Sequence, residues 1–114
     1  MPPPHDYFKL EGRTPVAVSL EEYIRWDMSV SHDVKVVGKD QVGESEVSTV
    51  FLGHNHQFGN GPPLVFETMI FGDPQGYQKR YSTWAEAEAG HAETLAEIRP
   101  GARTRTRLER VGED

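Results

Sequence analysis

The spacing of apolar residues changes several times along this chain, and each change marks an element. Near the start, "YFKL" and "PVAVS" flank the polar, glycine-bearing "EGRT". Two short apolar runs around such a turn predict a small hairpin, Tyr7–Leu10 with Pro15–Val18. The spacing then lengthens. In "SLEEYIRWDMSV", Leu20, Tyr23, Ile24 and Met28 recur at helical intervals, with Arg25 and Asp27 outward. Ser19 followed by Glu22 forms a capping box, so a helix is predicted over residues 20–29.

Beyond it the period shortens again. Val34, Val36 and Val37 supply β-branched residues, and the polar "GKDQVGES" predicts a turn. Val47–Leu52 is the strongest strand signal, dense in β-branched and aromatic residues. Leu64–Phe71 is the second, with "GDPQG" turning the chain and "YQKRYS" running back. Four consecutive strands with mostly short links predict an antiparallel meander. Helical spacing returns in "STWAEAEAGHAETLAEIRPG", where Trp84, Ala87, His91, Leu95 and Ile98 form a stripe. Thr83 and Glu86 make a second capping box, and Arg99-Pro100-Gly101 stops the helix.

The predicted order is ββαββββα. It implies an α+β fold, a twisted antiparallel sheet with two helices packed mainly on one face. The alternative is a small curled half-barrel plugged by the second helix. Residues 1–98 form the single domain, with residues 1–6 as a proline-stiffened flexible arm. Residues 99–114, "RPGARTRTRLERVGED", are expected to be a flexible basic tail.

Composition narrows the function. A chain of 114 residues suits one domain and buries roughly two-thirds of its unfolded surface. There is no cysteine, which removes disulfides, thiolate metal sites and cysteine nucleophiles. No apolar run approaches the length of a membrane-spanning helix, and "MPPPHDYF" lacks the features of a secretory signal. The expected location is the cytoplasm, without membrane association. The net charge of −6 is uneven: five arginines and three acids give residues 99–114 a charge of +2, leaving −8 on residues 1–98. An acidic body argues against nucleic-acid binding, which depends on neutralising phosphates.

Three features hold candidate chemistry. In "LVFETMIF", Glu67 shares a strand face with Val65, Met69 and Phe71, and a carboxylate in that company needs a partner. A four-residue loop Asp73–Gly76 would set Met69 opposite Arg80 and make Arg80 the diagonal neighbour of Glu67. Glu67 and Arg80 then form either a structural ion pair or a polar patch for a ligand. His91 lies in the apolar stripe of the last helix, as a hydrogen-bonded core residue or as the third member of a Glu67–Arg80–His91 cleft. His54 and His56, in "GHNHQFGNGPP", have H-x-H spacing, but two histidines alone are a weak metal signal. No metal or cofactor is expected. The same stretch lacks the lysine of a Walker loop. Tyr77, Tyr81 and Trp84 offer an aromatic wall, with Trp84 also the natural core anchor of its helix. No nucleophile elbow is present.

The stretch "EVSTVFLGHNHQFGNGPPLVFETMIFG", followed by "YQKRYSTWAEAEAGH", resembles a widespread group of short proteins encoded by tailed phages and prophages. "YFKLEGRTPV" fits the same pattern, so the resemblance spans nearly all of residues 7–91. In that pattern His56 matches and His54 is a substitution. Glu67, Arg80, Tyr81, Trp84 and His91 all lie within the resembling motifs. The family carries no settled activity. The resemblance implies a small accessory protein, of host-takeover or anti-defence type, in the cytoplasm of an infected cell. The first reading is a noncatalytic binding protein that engages a host protein or sequesters a small anionic metabolite, with Glu67, Arg80, His91, Tyr81 and Trp84 at the site and His56 at its rim. The second is a small enzyme acting on a nucleotide-like metabolite, with Glu67 or His91 as acid–base groups. The chain's size and acidity are compatible with a homodimer formed through a sheet edge or a helix face.

Overall fold

The computed structural model describes residues 6–57, 59–72 and 77–98. In chain order come β1 (Tyr7–Glu11), β2 (Thr14–Val18), α1 (Leu20–Ser29), a 3₁₀ turn (His32–Lys35), β3 (Val36–Val42), β4 (Ser45–Phe51), β5 (Phe66–Phe71), β6 (Gln78–Tyr81) and α2 (Trp84–Ile98). This is the predicted ββαββββα order. Strands β1 and β2 form one antiparallel hairpin, and β3-β4-β5-β6 form a four-stranded antiparallel meander. The hairpin docks on the extension of β4: Tyr7 bridges His54, and the Phe8 N–H donates to the Gly53 carbonyl at 2.8 Å.

Alternation divides the larger sheet into two unlike faces. On one, Val47, Thr49 and Phe51 of β4 lie opposite Ile70, Thr68 and Phe66 of β5, all buried. Helix α2 lays Ala87, Gly90, His91 and Thr94 on this face. Phe8 and Leu10 of β1 join the same core. Trp26 of α1 meets Phe51 edge-on at 5.9 Å, and Trp84 of α2 meets Phe66 at 6.0 Å. Both helices and the hairpin therefore sit on one side. The other face holds Glu67, Met69 and Phe71 of β5 with Arg80 of β6, and Phe71 is 51% exposed. Among the described residues no helix packs there.

The capping boxes form to different degrees. At α2 the hydroxyl half forms, with Thr83 Oγ1 accepting from the Glu86 N–H at 3.0 Å, and the Glu86 carboxylate reaches one residue past the N-cap to accept from the Ser82 N–H at 3.1 Å. At α1 only the hydroxyl half forms, with Ser19 Oγ accepting from the Glu22 N–H at 3.1 Å. The Glu22 carboxylate instead meets Lys9 at 2.9 Å, tying helix to hairpin.

Four expectations are corrected. The turn expected over "GKDQVGES" contracts to Gly43-Glu44, and β3 runs on to Val42. Lys39 and Gln41 fall on the uncovered face of an edge strand, where polar side chains keep their water. Gly43, at φ 61°, supplies the positive φ that a two-residue hairpin loop demands. Val34 belongs to the 3₁₀ turn and is exposed, not part of a strand. The β5–β6 register places Glu67 directly opposite Arg80, not diagonal to it. Finally, α1 presents Tyr23 and Trp26 to the body, while Leu20, Ile24 and Met28 face outward. The aromatic pair offers more buried area to the hairpin side than the aliphatic stripe does. The expectations for residues 1–5, the loop 73–76 and the tail 99–114 lie outside the described residues.

Candidate functional site

The sheet separates the residues expected to share one cleft. His91 projects from α2 onto the buried face, whereas Glu67 and Arg80 occupy the opposite face. The three do not converge, because His91 sits over Thr49 and Thr68, whose positions alternate with Glu67 along the strands.

On the buried face His91 anchors a continuous polar chain. Its Nε2 lies 2.7 Å from Asp40 Oδ2 on β3, and its Nδ1 lies 2.7 Å from Thr49 Oγ1 on β4. Thr49 Oγ1 is 2.6 Å from Thr68 Oγ1 on β5, which accepts from the Tyr81 hydroxyl at 3.1 Å. Counting donors assigns a direction. Each hydroxyl has one proton. Tyr81 gives its proton to Thr68, Thr68 gives to Thr49, and Thr49 gives to Nδ1, leaving the ring proton on Nε2 to meet Asp40. With Tyr81 donating to Thr68, a reversed Thr49–Thr68 bond would leave the Thr68 proton without an acceptor in the series. One helix residue is thereby tied to all four strands. Two glycines make the room: a Cβ on Gly38 would fall 2.8 Å from the His91 ring, and one on Gly90 would fall 2.2 Å from the Tyr81 hydroxyl.

Carboxylate, imidazole and hydroxyl in series is also the order of a hydrolytic triad, so burial decides what this one does. Thr49 is 0% exposed, and the accessible end is the carboxylate, whose side chain is 51% exposed. A nucleophile must reach substrate, and this hydroxyl is sealed beneath α2. The series is an interior clamp. Tyr81 is buried and Trp84 is packed on Phe66, so neither forms an open aromatic wall. Burial also pushes the Tyr81 phenol above its ordinary value, partly offset by its bond to Thr68.

The opposite face holds the remaining candidates. Arg80 Nε donates to Glu67 Oε2 at 3.0 Å, and Glu67 is only 8% exposed. His56 stands near this pair. Its imidazole is pushed below the ordinary value of 6.5, first by burial, then by Arg80 and His54, with Glu67 pulling the other way. The ring of His54 lies 5.2 Å from that of His56 and stacks on Tyr7 at 5.3 Å. Among the described residues no group of three His, Asp or Glu side chains is placed to hold a metal ion. No helix among them is long and apolar enough to cross a membrane.

The chain matches no known protein family, no functionally described protein and no solved structure. The site is therefore read from its own geometry.

That geometry contains a residue the sequence reading passed over. Asn55 Oδ1 accepts from the Gln57 N–H at 2.8 Å and from the Leu64 N–H at 3.0 Å. The His56 N–H donates to the Leu64 carbonyl at 3.0 Å. The glycine- and proline-rich stretch is thus a cinched loop, and its ends hold His56 beside Glu67 and Arg80. The available signal was an asparagine between two histidines, since Asn side chains commonly cap their own backbone two residues on.

His56 makes this end of the sheet sensitive to acid. Its folded-state value is lowered, so the neutral form is favoured in the native chain. Below 6.5 the unfolded chain takes up the proton first, and stability falls as pH drops through the folded value. His56→Gln is expected to reduce the loss of melting temperature between about pH 7 and about pH 5. An unchanged loss in the variant would show that His56 does not contribute.

Proposed function

We propose that this chain is a noncatalytic binding protein of the phage accessory kind, acting in the host cytoplasm, and that it engages a host protein through the uncovered face of its four-stranded sheet. The observation that carries this reading is the composition of that face. Phe71 is half exposed beside Met69, and the two are framed by the ion pairs Glu67–Arg80 and Lys39–Glu46. An apolar centre within a charged surround is the anatomy of a protein-recognition patch. A small anionic ligand has less support, because the Arg80 guanidinium is already engaged by a carboxylate. The enzymatic reading loses its geometry, since Glu67 and His91 lie on opposite faces and the one hydroxyl beside His91 is sealed.

The reading is tested by photo-crosslinking the full chain in bacterial cells. A crosslinker replacing Phe71 should yield a discrete protein adduct that Met69→Lys abolishes, while one replacing the exposed Ala85 of α2 should not. No adduct from position 71, equal adducts from both positions, or turnover of a host metabolite by the pure protein would each overturn it.

A further inference from the structure

Helix α1 is amphipathic, yet its aliphatic side faces away from the body. Leu20 is 48% exposed, Ile24 47% and Met28 81%. They stand at i, i+4 and i+8, so they form one continuous ridge. Isolated exposed apolar residues need no explanation, but a ridge of three on one helix does. The inward side is fully engaged: Tyr23 donates to the Leu52 carbonyl, Trp26 packs on Phe51, Glu22 pairs with Lys9 and Asp27 pairs with Lys35. These contacts fix the helix's rotation and leave its ridge turned away from the rest of the described residues.

We infer that this ridge is where two copies of the chain pair, α1 against α1, about a twofold axis at Ile24. The charges beside the ridge select this occupant. Glu21 and Arg25 are the exposed neighbours on one flank, and within one chain they make only a loose contact of 3.7 Å. In an antiparallel pair Ile24 meets its own copy, and Leu20 meets Met28 of the other chain. The axis also brings Glu21 of each copy alongside Arg25 of the other, giving two reciprocal ion pairs. The ridge is thus complementary to itself in shape and in charge, the condition for an isologous contact. Sheet edges are poorer candidates: β3 carries Lys39 and Asp40, and β6 is four residues long with Lys79 and Arg80.

The size of the contact sets its strength. A ten-residue helix is about 15 Å long, and three side chains fall well short of the roughly 800 Å² per partner of a standard stable interface. Pairing is therefore weak and concentration-dependent. It leaves the uncovered sheet face of each copy free and does not depend on what that face binds.

Sedimentation equilibrium of the full chain tests the inference, from about 10 µM to about 1 mM, a span suited to weak association. The expected result is reversible dimerisation. Ile24→Asp should weaken it at least about tenfold with an unchanged circular dichroism spectrum, a loss of about 1.4 kcal/mol or more. Glu21→Arg alone and Arg25→Glu alone should also weaken it, and the two together should restore it. A monomer throughout the range, an association indifferent to Ile24→Asp, or a double charge exchange that fails to restore pairing would each overturn the inference. Crosslinking from Met28 to a different protein, with no adduct between copies, would overturn it as well.

Discussion

Replacing His91 by alanine is expected to lower the stability of the fold by about 3 kcal/mol or more, the scale of a large-to-small change in a packed core with an added polar penalty. Three losses coincide. The ring leaves a cavity between α2 and the sheet. Thr49 loses the acceptor for its proton at a position with no access to water. Asp40 loses the bond that joins the edge strand to the helix. For a domain of this length the melting temperature should fall by more than about 10 °C. A leucine at the same position separates the terms. His91→Leu fills most of the cavity but orphans the Thr49 hydroxyl, costing about 1–3 kcal/mol. Adding Thr49→Val removes that orphan and shifts the loss to Thr68, whose proton then lacks its acceptor. The Thr49→Val single already carries this loss together with an unpaired Nδ1, so the double variant should be more stable than the sum of its parts predicts, with a coupling of at least about 0.5 kcal/mol. Thermal denaturation of the four proteins measures the cycle. Strict additivity would show that the hydroxyl and the ring do not act together.

This network also marks how far the sequence can be read. The elements were legible because hydrophobic period and capping residues are local signals: Ser19 starts α1 and Thr83 precedes α2. The placement of His91 in the inward stripe of α2 was legible for the same reason. Its partners were not. Asp40 lies 51 residues away and Thr49 lies 42 away, and nothing local pairs them. They meet only once the β3–β4 and β4–β5 registers are set, and the first contains a shift between Val36 and Gly38. The separation of His91 from Glu67 has a similar origin. Strand alternation was readable within each strand, but which face α2 would cover was not, because Glu67 shares its side with the apolar Met69 and Phe71 and both faces of β5 are rich in apolar residues. Phe66, Thr68 and Ile70 are the more completely buried set. Two threonines and a tyrosine look polar in sequence and become interior once they satisfy one another. Helix α1 failed in the opposite sense. Its aliphatic stripe reads as a core face by period alone, yet its aromatic side, half-buried, is the one turned to the body.

Arg80→Ala is expected to cost about 2–3 kcal/mol, slightly below the usual cost of breaking a fully buried ion pair, because the Arg80 side chain retains partial access to solvent. The penalty comes from Glu67, which would remain almost fully buried without its guanidinium. Replacing both partners gives a different result. Glu67→Leu with Arg80→Met exchanges the pair for apolar side chains that can extend the surface of Val50, Met69 and Phe71. Its stability should return to within about 1 kcal/mol of the starting protein, since the desolvation of two charges disappears together with their attraction. Urea denaturation of both singles and the double checks this, and a double variant as unstable as Arg80→Ala would mean that the pair is a net stabiliser. The stable, uncharged double then becomes an instrument for function. If it folds normally but loses the crosslink made from position 71, the ion pair serves recognition. If the crosslink persists, the pair serves only to reconcile a carboxylate with an apolar neighbourhood, and the partner reads Met69 and Phe71 instead.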